Sequence, residues 1–155
     1  MIRVGAAVAL FLLTLTSAYA QERTSPRNAN YTIDVRLDAR ARTLTGRETL
    51  VWTNITTATA RELQFHLYYN AWRNNQSTFM KEARLAGGWS TVTELENDQL
   101  AKIDVSSITV RGGSDLTDAI RFIAPDDGNP DDRTVMAVTL PSPIGPQQSI
   151  TLDIA

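Results

Sequence analysis

The chain has no cysteine and one histidine among its 155 residues. No disulfide can staple it, and neither a thiolate zinc site nor one of the usual histidine-rich kind can be assembled within it. In an oxidising compartment such a chain must be held by its core alone, which fits a periplasmic protein better than a small disulfide scaffold. A basic surplus is also missing, with 15 Lys and Arg against 17 Asp and Glu. That balance argues against nucleic acid or an anionic membrane as a partner. No phosphate loop, no G-x-S-x-G elbow and no nucleophile–base spacing occurs. The longest apolar run, Val4–Leu15, is followed by Thr16 and Ser17 and interrupted at Thr14. It is too short for the ~20 residues of a membrane-spanning helix.

That run has another reading. Arg3 supplies a short positive start, Val4–Leu15 an apolar centre, and Ala18-Tyr19-Ala20 a small-x-small cleavage site before Gln21. Residues 1–20 are therefore expected to be a secretory signal peptide, and the mature protein an exported, periplasmic or extracellular one. Losing Arg3 with the leader moves the net charge from −2 to −3. About 135 residues remain, enough for one domain, 21–155, with its own hydrophobic core.

Period-2 alternation dominates this domain. Ile33, Val35 and Leu37 face one way in "YTIDVRL", and Leu63, Phe65, Leu67 and Tyr69 do so in "ELQFHLYY". Ile150, Leu152 and Ile154 repeat the pattern in "SITLDIA". Such alternation predicts half-buried strands. Weaker strands are read at Thr43–Thr53, Val105–Val110, Ile120–Ile123 and Thr134–Leu140. In the first, Glu48 shares the Leu50 and Trp52 face, so that face is expected to be buried at one end only. The whole predicts an all-β fold, an antiparallel β-sandwich. Residues 70–100 break the period and form one long irregular connection. Gly87-Gly88 lies within it, and a short helix is expected near Ser77–Arg84, anchored by Phe79 and Met80. Its Trp72, Phe79, Met80 and Trp89 predict that it packs on the sandwich.

Several polar features invite a chemical reading. "PDDGNPDD", Pro125–Asp132, looks like a calcium loop, but placing Gly128 at the sixth position puts Pro125 at the third and Thr134 at the twelfth. Those residues do not supply the required carboxylates, so a polar hairpin turn is expected, the alternative being an adventitious calcium site. His66 sits mid-strand and reads as a structural, hydrogen-bonded side chain. Arg36, Arg40, Arg42 and Arg47 are interleaved with Asp34, Asp38 and Glu48, which reads as a solvated strand face. The sequons at Asn30, Asn54 and Asn75 matter only for a eukaryotic export route. Residue pattern alone assigns no catalytic, cofactor-binding or metal-ligating residue.

Three stretches together carry a resemblance: "TIDVRLDARARTLTGRETLVWTN", "ELQFHLYYNAWRNNQSTFMKE" and "FIAPDDGNPDDRTVMAVTLPSPI". In this order they resemble the start of bacterial exported zinc metallopeptidases of the aminopeptidase-N-like (gluzincin) family. Leu44, Gly46, Leu50, Trp52 and Asn54 fill that family's first hairpin pattern, and Leu63–Trp72 its next strand and exit turn. The resemblance implies a saddle-shaped, non-catalytic N-terminal β-sandwich that supports a catalytic domain and its cleft. The zinc, its H-E-x-x-H helix and the G-x-M-E-N-like strand would belong to that other domain, because one histidine cannot supply the first motif and the second does not occur here. The implied partner is the catalytic domain of the same polypeptide, with peptide substrate bound only by the intact enzyme. The rival readings are a freestanding secreted binding module and an inactive scaffold relative. Because Ser149–Ala155 alternates to its last residue, the domain is expected to be incomplete, with that strand left as an open edge.

Overall fold

The computed structural model describes residues 26–85 and 94–155. The expected leader, and Gly87, Gly88 and Trp89 of the long connection, lie outside the described residues. Seven strands are described: β1 (Ala29–Asp38), β2 (Thr43–Thr53), β3 (Ala60–His66), β4 (Ile108–Val110), β5 (Ile120–Ile123), β6 (Val135–Ile144) and β7 (Ser149–Ile154). They form two antiparallel sheets, ordered β1-β2-β7-β4 and β3-β6-β5. This is the all-β, sandwich-like fold that the alternation predicts. Among the described residues no helix is long and apolar enough to cross a membrane.

The core lies where the sheets face each other. Leu50, Ile108, Ile150 and Leu152 come from one sheet, and Leu63, Met136, Val138 and Leu140 from the other, with Leu67 and Leu116 closing the ends. Along β6 and β7 the core residues alternate, as the pleat requires. Leu50 stands opposite Leu152, and Trp52 opposite Ile150. Full burial of each such aliphatic side chain is worth about 1.5–3 kcal/mol.

Four expectations need correction. β7 is not an edge: it pairs with β2 on one side and β4 on the other. Even Ala155 is engaged, its N–H donating to Ser107 O and its carbonyl accepting from Ser106. Sheet order is set by long-range pairing, which alternation within one segment does not encode. Second, β3 ends at His66, and Tyr68–Trp72 turn into a 3₁₀ helix, so Tyr69 is exposed instead of core-facing. Third, the strand expected at Val105–Val110 forms only from Ile108. Finally, β6 runs on to Ile144 through Pro141 and Pro143, where its register against β3 shifts. Proline is tolerated at such a bulge because the ladder bond it cannot donate is already interrupted.

The described parts of the long connection are held down as expected. Helix α1 (Thr78–Leu85) buries Met80, and Phe79 packs on Trp72 with ring centroids 4.8 Å apart. Ser77 begins it: its Oγ accepts from the Met80 N–H at 3.2 Å and donates to Ala71 O. Asn70, fully buried, donates from Nδ2 to Arg133 O and accepts at Oδ1 from Ile103 N–H, both at 2.8 Å. One side chain thus ties the exit of β3 to the approach to β6 and to the far end of the connection.

Candidate functional site

The structure scatters the polar residues that the sequence singles out. Pro125–Asp132 joins β5 to β6 as a turn in which Gly128 takes φ 70°, a left-handed value that favours glycine. Its polar groups are used internally. Asp127 accepts from the Asn129 N–H at 2.9 Å and from Thr78 Oγ1 at 2.8 Å. Those bonds, the backbone one first, hold its carboxyl below the ordinary aspartate range. Asn129 is buried, donating to Gln76 O at 2.8 Å and to Thr78 Oγ1 at 3.1 Å. Asn74 Nδ2 donates to Asp131 O at 3.0 Å. The acidic loop is thus a clasp on the start of α1, a role for which nothing short of long-range contact gives a signal. Among the described residues no three His, Asp or Glu side chains converge as a metal-binding group.

His66 is exposed, and its ring packs on Tyr68 at 3.9 Å between centroids, where a structural hydrogen bond was expected. Asn54 is nearly inaccessible, donating from Nδ2 to Ala58 O and Ile144 O and accepting from Thr56. Asn75 is half-buried, exchanging bonds with both backbone groups of Leu95. Only Asn30 of the three sequons has an exposed side chain.

The outer face of the β1-β2-β7-β4 sheet carries charges of both signs. Arg111, just past β4, donates to both Asp153 carboxylate oxygens and to Thr49 Oγ1. The guanidinium bonds keep the Asp153 carboxyl below, and Arg111 above, their ordinary ranges. Asp34 stands opposite Arg47 one strand away. Arg111 and Asp153 are paired, and Asp34 and Arg47 are exposed neighbours in register, so this face is a solvated, charge-balanced surface.

The inner face of the same sheet differs. Beyond Leu50 the β1–β2 hairpin runs past the core, and Tyr31, Ile33, Val35, Leu37 and Leu44 stay exposed on the core-facing side. Glu48 lies within this apolar stripe, with Ile33 opposite it on β1 and Ile154 on β7. Burial there raises its carboxyl pKa. Gly46, opposite Val35, leaves a gap in the stripe, since a Cβ there would meet only Asp34 O at 3.6 Å and Val35 Cγ2 at 3.7 Å. Those are ordinary contacts, and Gly46 has no positive φ. Nothing within the described chain requires glycine at this position. The stripe, its carboxylate and its gap form the candidate site, a surface for contact. Alternation marks which side chains share this face, but not where the opposing sheet stops covering it.

No known protein family, curated protein or solved structure matches the chain.

Proposed function

We propose that this chain is a non-catalytic β-sandwich module of an exported zinc aminopeptidase-like metallopeptidase, and that the inner face of its β1–β2 hairpin seats the catalytic domain. One observation carries the reading: the hairpin residues that resemble the family pattern divide into two groups. Leu50, Trp52 and Asn54 have work within this fold, in the core and in the buried bonds below it. Leu44 and Gly46 have none, and they lie on the exposed, apolar end. A strand glycine without a bulge or a crowded neighbour suits close approach by another backbone. A contiguous exposed apolar stripe suits a packed interface.

In this reading the module does no bond chemistry. The zinc centre of the catalytic domain would polarise the peptide carbonyl and lower the pKa of its water. The sandwich would hold one wall of the cleft. The coding sequence beyond the Ala155 codon tests this. An open frame encoding H-E-x-x-H, with a downstream glutamate, is the expected result. A stop codon there would favour the freestanding binding module, and an open frame with the motif's histidines replaced would favour the inactive scaffold.

A further inference from the structure

The hairpin has an edge as well as a face, and the two are separate surfaces. β1 is the outer strand of its sheet, ten residues long, paired with β2 without any register shift. Its backbone phase is fixed: the Thr53 N–H donates to Asn28 O at 2.8 Å, in line with the same register. Even-numbered residues therefore turn their N–H and C=O toward β2, because the two kinds of pair alternate along an antiparallel ladder. Tyr31, Ile33, Val35 and Leu37 point theirs outward.

The other described edges are guarded. β4 is three residues long, and the following turn folds back on it, with Val110 N–H donating to Ser114 O and Leu116 N–H to Ile108 O. β5 has four residues, and β3 is broken by a register shift between Ala60 and Glu62. β1 has no proline and no bulge, and the described residues give it no such cover. A long, regular, half-apolar edge is a template for another strand.

We infer that β1 pairs with β1 of a second copy of this chain, antiparallel, about a two-fold axis at Val35. Self-pairing of one strand is isologous, so choosing its centre fixes every pair. Centring on Asp34 or Arg36 sets that charge against itself. Centring on Ile33 puts Asp34 against Thr32 and Arg36 against Asn30, which matches no charges. Centring on Leu37 matches charges but runs into the turn after Asp38, leaving only Arg36–Asp38 to pair. Centring on Val35 keeps Thr32–Asp38 of both copies in strand. It sets Asp34 opposite Arg36 twice on the polar side, and Ile33 opposite Leu37 twice on the apolar side. It also sets outward-pointing residues against each other, as the backbone phase requires. Opposite charges and apolar pairs facing across strands are the contacts that stabilise a sheet. The result is one continuous eight-stranded sheet whose inner faces remain open, so the pairing does not compete with the contact proposed above.

The test uses the full chain, expressed with its own leader and purified after export. Sedimentation across a concentration series is expected to show a reversible monomer–dimer equilibrium. Arg36→Asp should weaken the dimer about tenfold or more, by setting carboxylates opposite each other twice. Asp34→Arg combined with Arg36→Asp should restore it. A second variant does not depend on charge. Because the chain lacks cysteine, Val35→Cys should give an oxidised dimer, the Cα separation of a hydrogen-bonded pair being within disulfide reach. Thr45→Cys, one strand inward, should not. A chain that is monomeric throughout overturns the inference. So does a dimer indifferent to Arg36→Asp, one not rescued by the double exchange, or Val35→Cys failing to cross-link. A monomer that instead binds phosphatidylcholine vesicles would also overturn it, assigning the hairpin to a lipid surface.

Discussion

Leu50 and Leu44 lie on the same strand and the same side of it, yet one is 3 % exposed and the other 66 %. Between them the opposing sheet ends. The half of the hairpin near Leu50 is a wall of the core, and the half near Leu44 stands in solvent with an equally apolar surface. The difference shows that alternation specifies which side of a strand is apolar, while topology decides whether anything covers it. It also separates two kinds of residue: those that the core buries and those that it leaves uncovered.

The comparison can be broken most simply at its two ends. Leu152→Ala, at a fully buried position, is expected to cost about 2–5 kcal/mol in urea unfolding. Leu44→Ala should change stability by no more than about 0.5 kcal/mol. Similar losses at both positions would mean that the hairpin end is packed against something in the isolated chain. Asn70→Ala comes next. It leaves the Ile103 N–H and the Arg133 carbonyl without their partner, and each orphaned buried group costs about 1–3 kcal/mol. Unchanged unfolding in that variant would show that the connection adds nothing to the sandwich.

Glu48 sharpens the comparison at the boundary. Its folded pKa is raised by burial, so the folded state keeps this proton at a pH where the unfolded chain has released it. Stability is then lost as pH rises from 4.5 through the folded pKa. Glu48→Gln removes that loss, and should melt above the parent at pH 7, with the two converging below pH 4.5. A lower melting temperature for the variant at pH 7 would mean that the carboxylate has a favourable partner. The smallest effect is expected from calcium. With Asp127 and Asn129 engaged on Thr78 and Gln76, added calcium should leave the melting temperature unchanged. Native-state binding at a hundredfold excess over its dissociation constant would instead add about 2.7 kcal/mol, which a melt would register.

Much of the fold was legible because half-buried strands write their burial every second residue. Ile150, Leu152, Leu63 and Leu50 follow that rule, and the helix expected near Ser77–Arg84 is found at Thr78–Leu85. Its cap was not anticipated, because Met80 occupies the place where a capping box would have glutamate or glutamine; Ser77 caps it alone. The central place of β7 was hidden, since its neighbours come from more than 90 residues earlier in β2 and from β4. Asn70 and Asn129 read as turn residues in sequence and Asn54 as a sequon, yet all three are buried hubs in the fold. Most of their partners are backbone groups, which every residue carries and no sequence pattern marks. The candidate site was half legible: Glu48 on an incompletely buried face was expected, but the length of uncovered stripe was not.

The most direct test of the account compares access to the hairpin face in this chain and in the longer polypeptide that an open frame beyond Ala155 would encode. Leu44→Cys places a thiol on the exposed inner face, and Thr45→Cys places one on the outer face as control. Thiol labelling followed by peptide mass spectrometry reads both rates. The account predicts fast labelling at both positions in the 155-residue chain, and labelling slowed at position 44 alone in the longer protein. Equal rates at position 44 in the two proteins would contradict it, because the stripe would then have no occupant in the polypeptide it is proposed to serve.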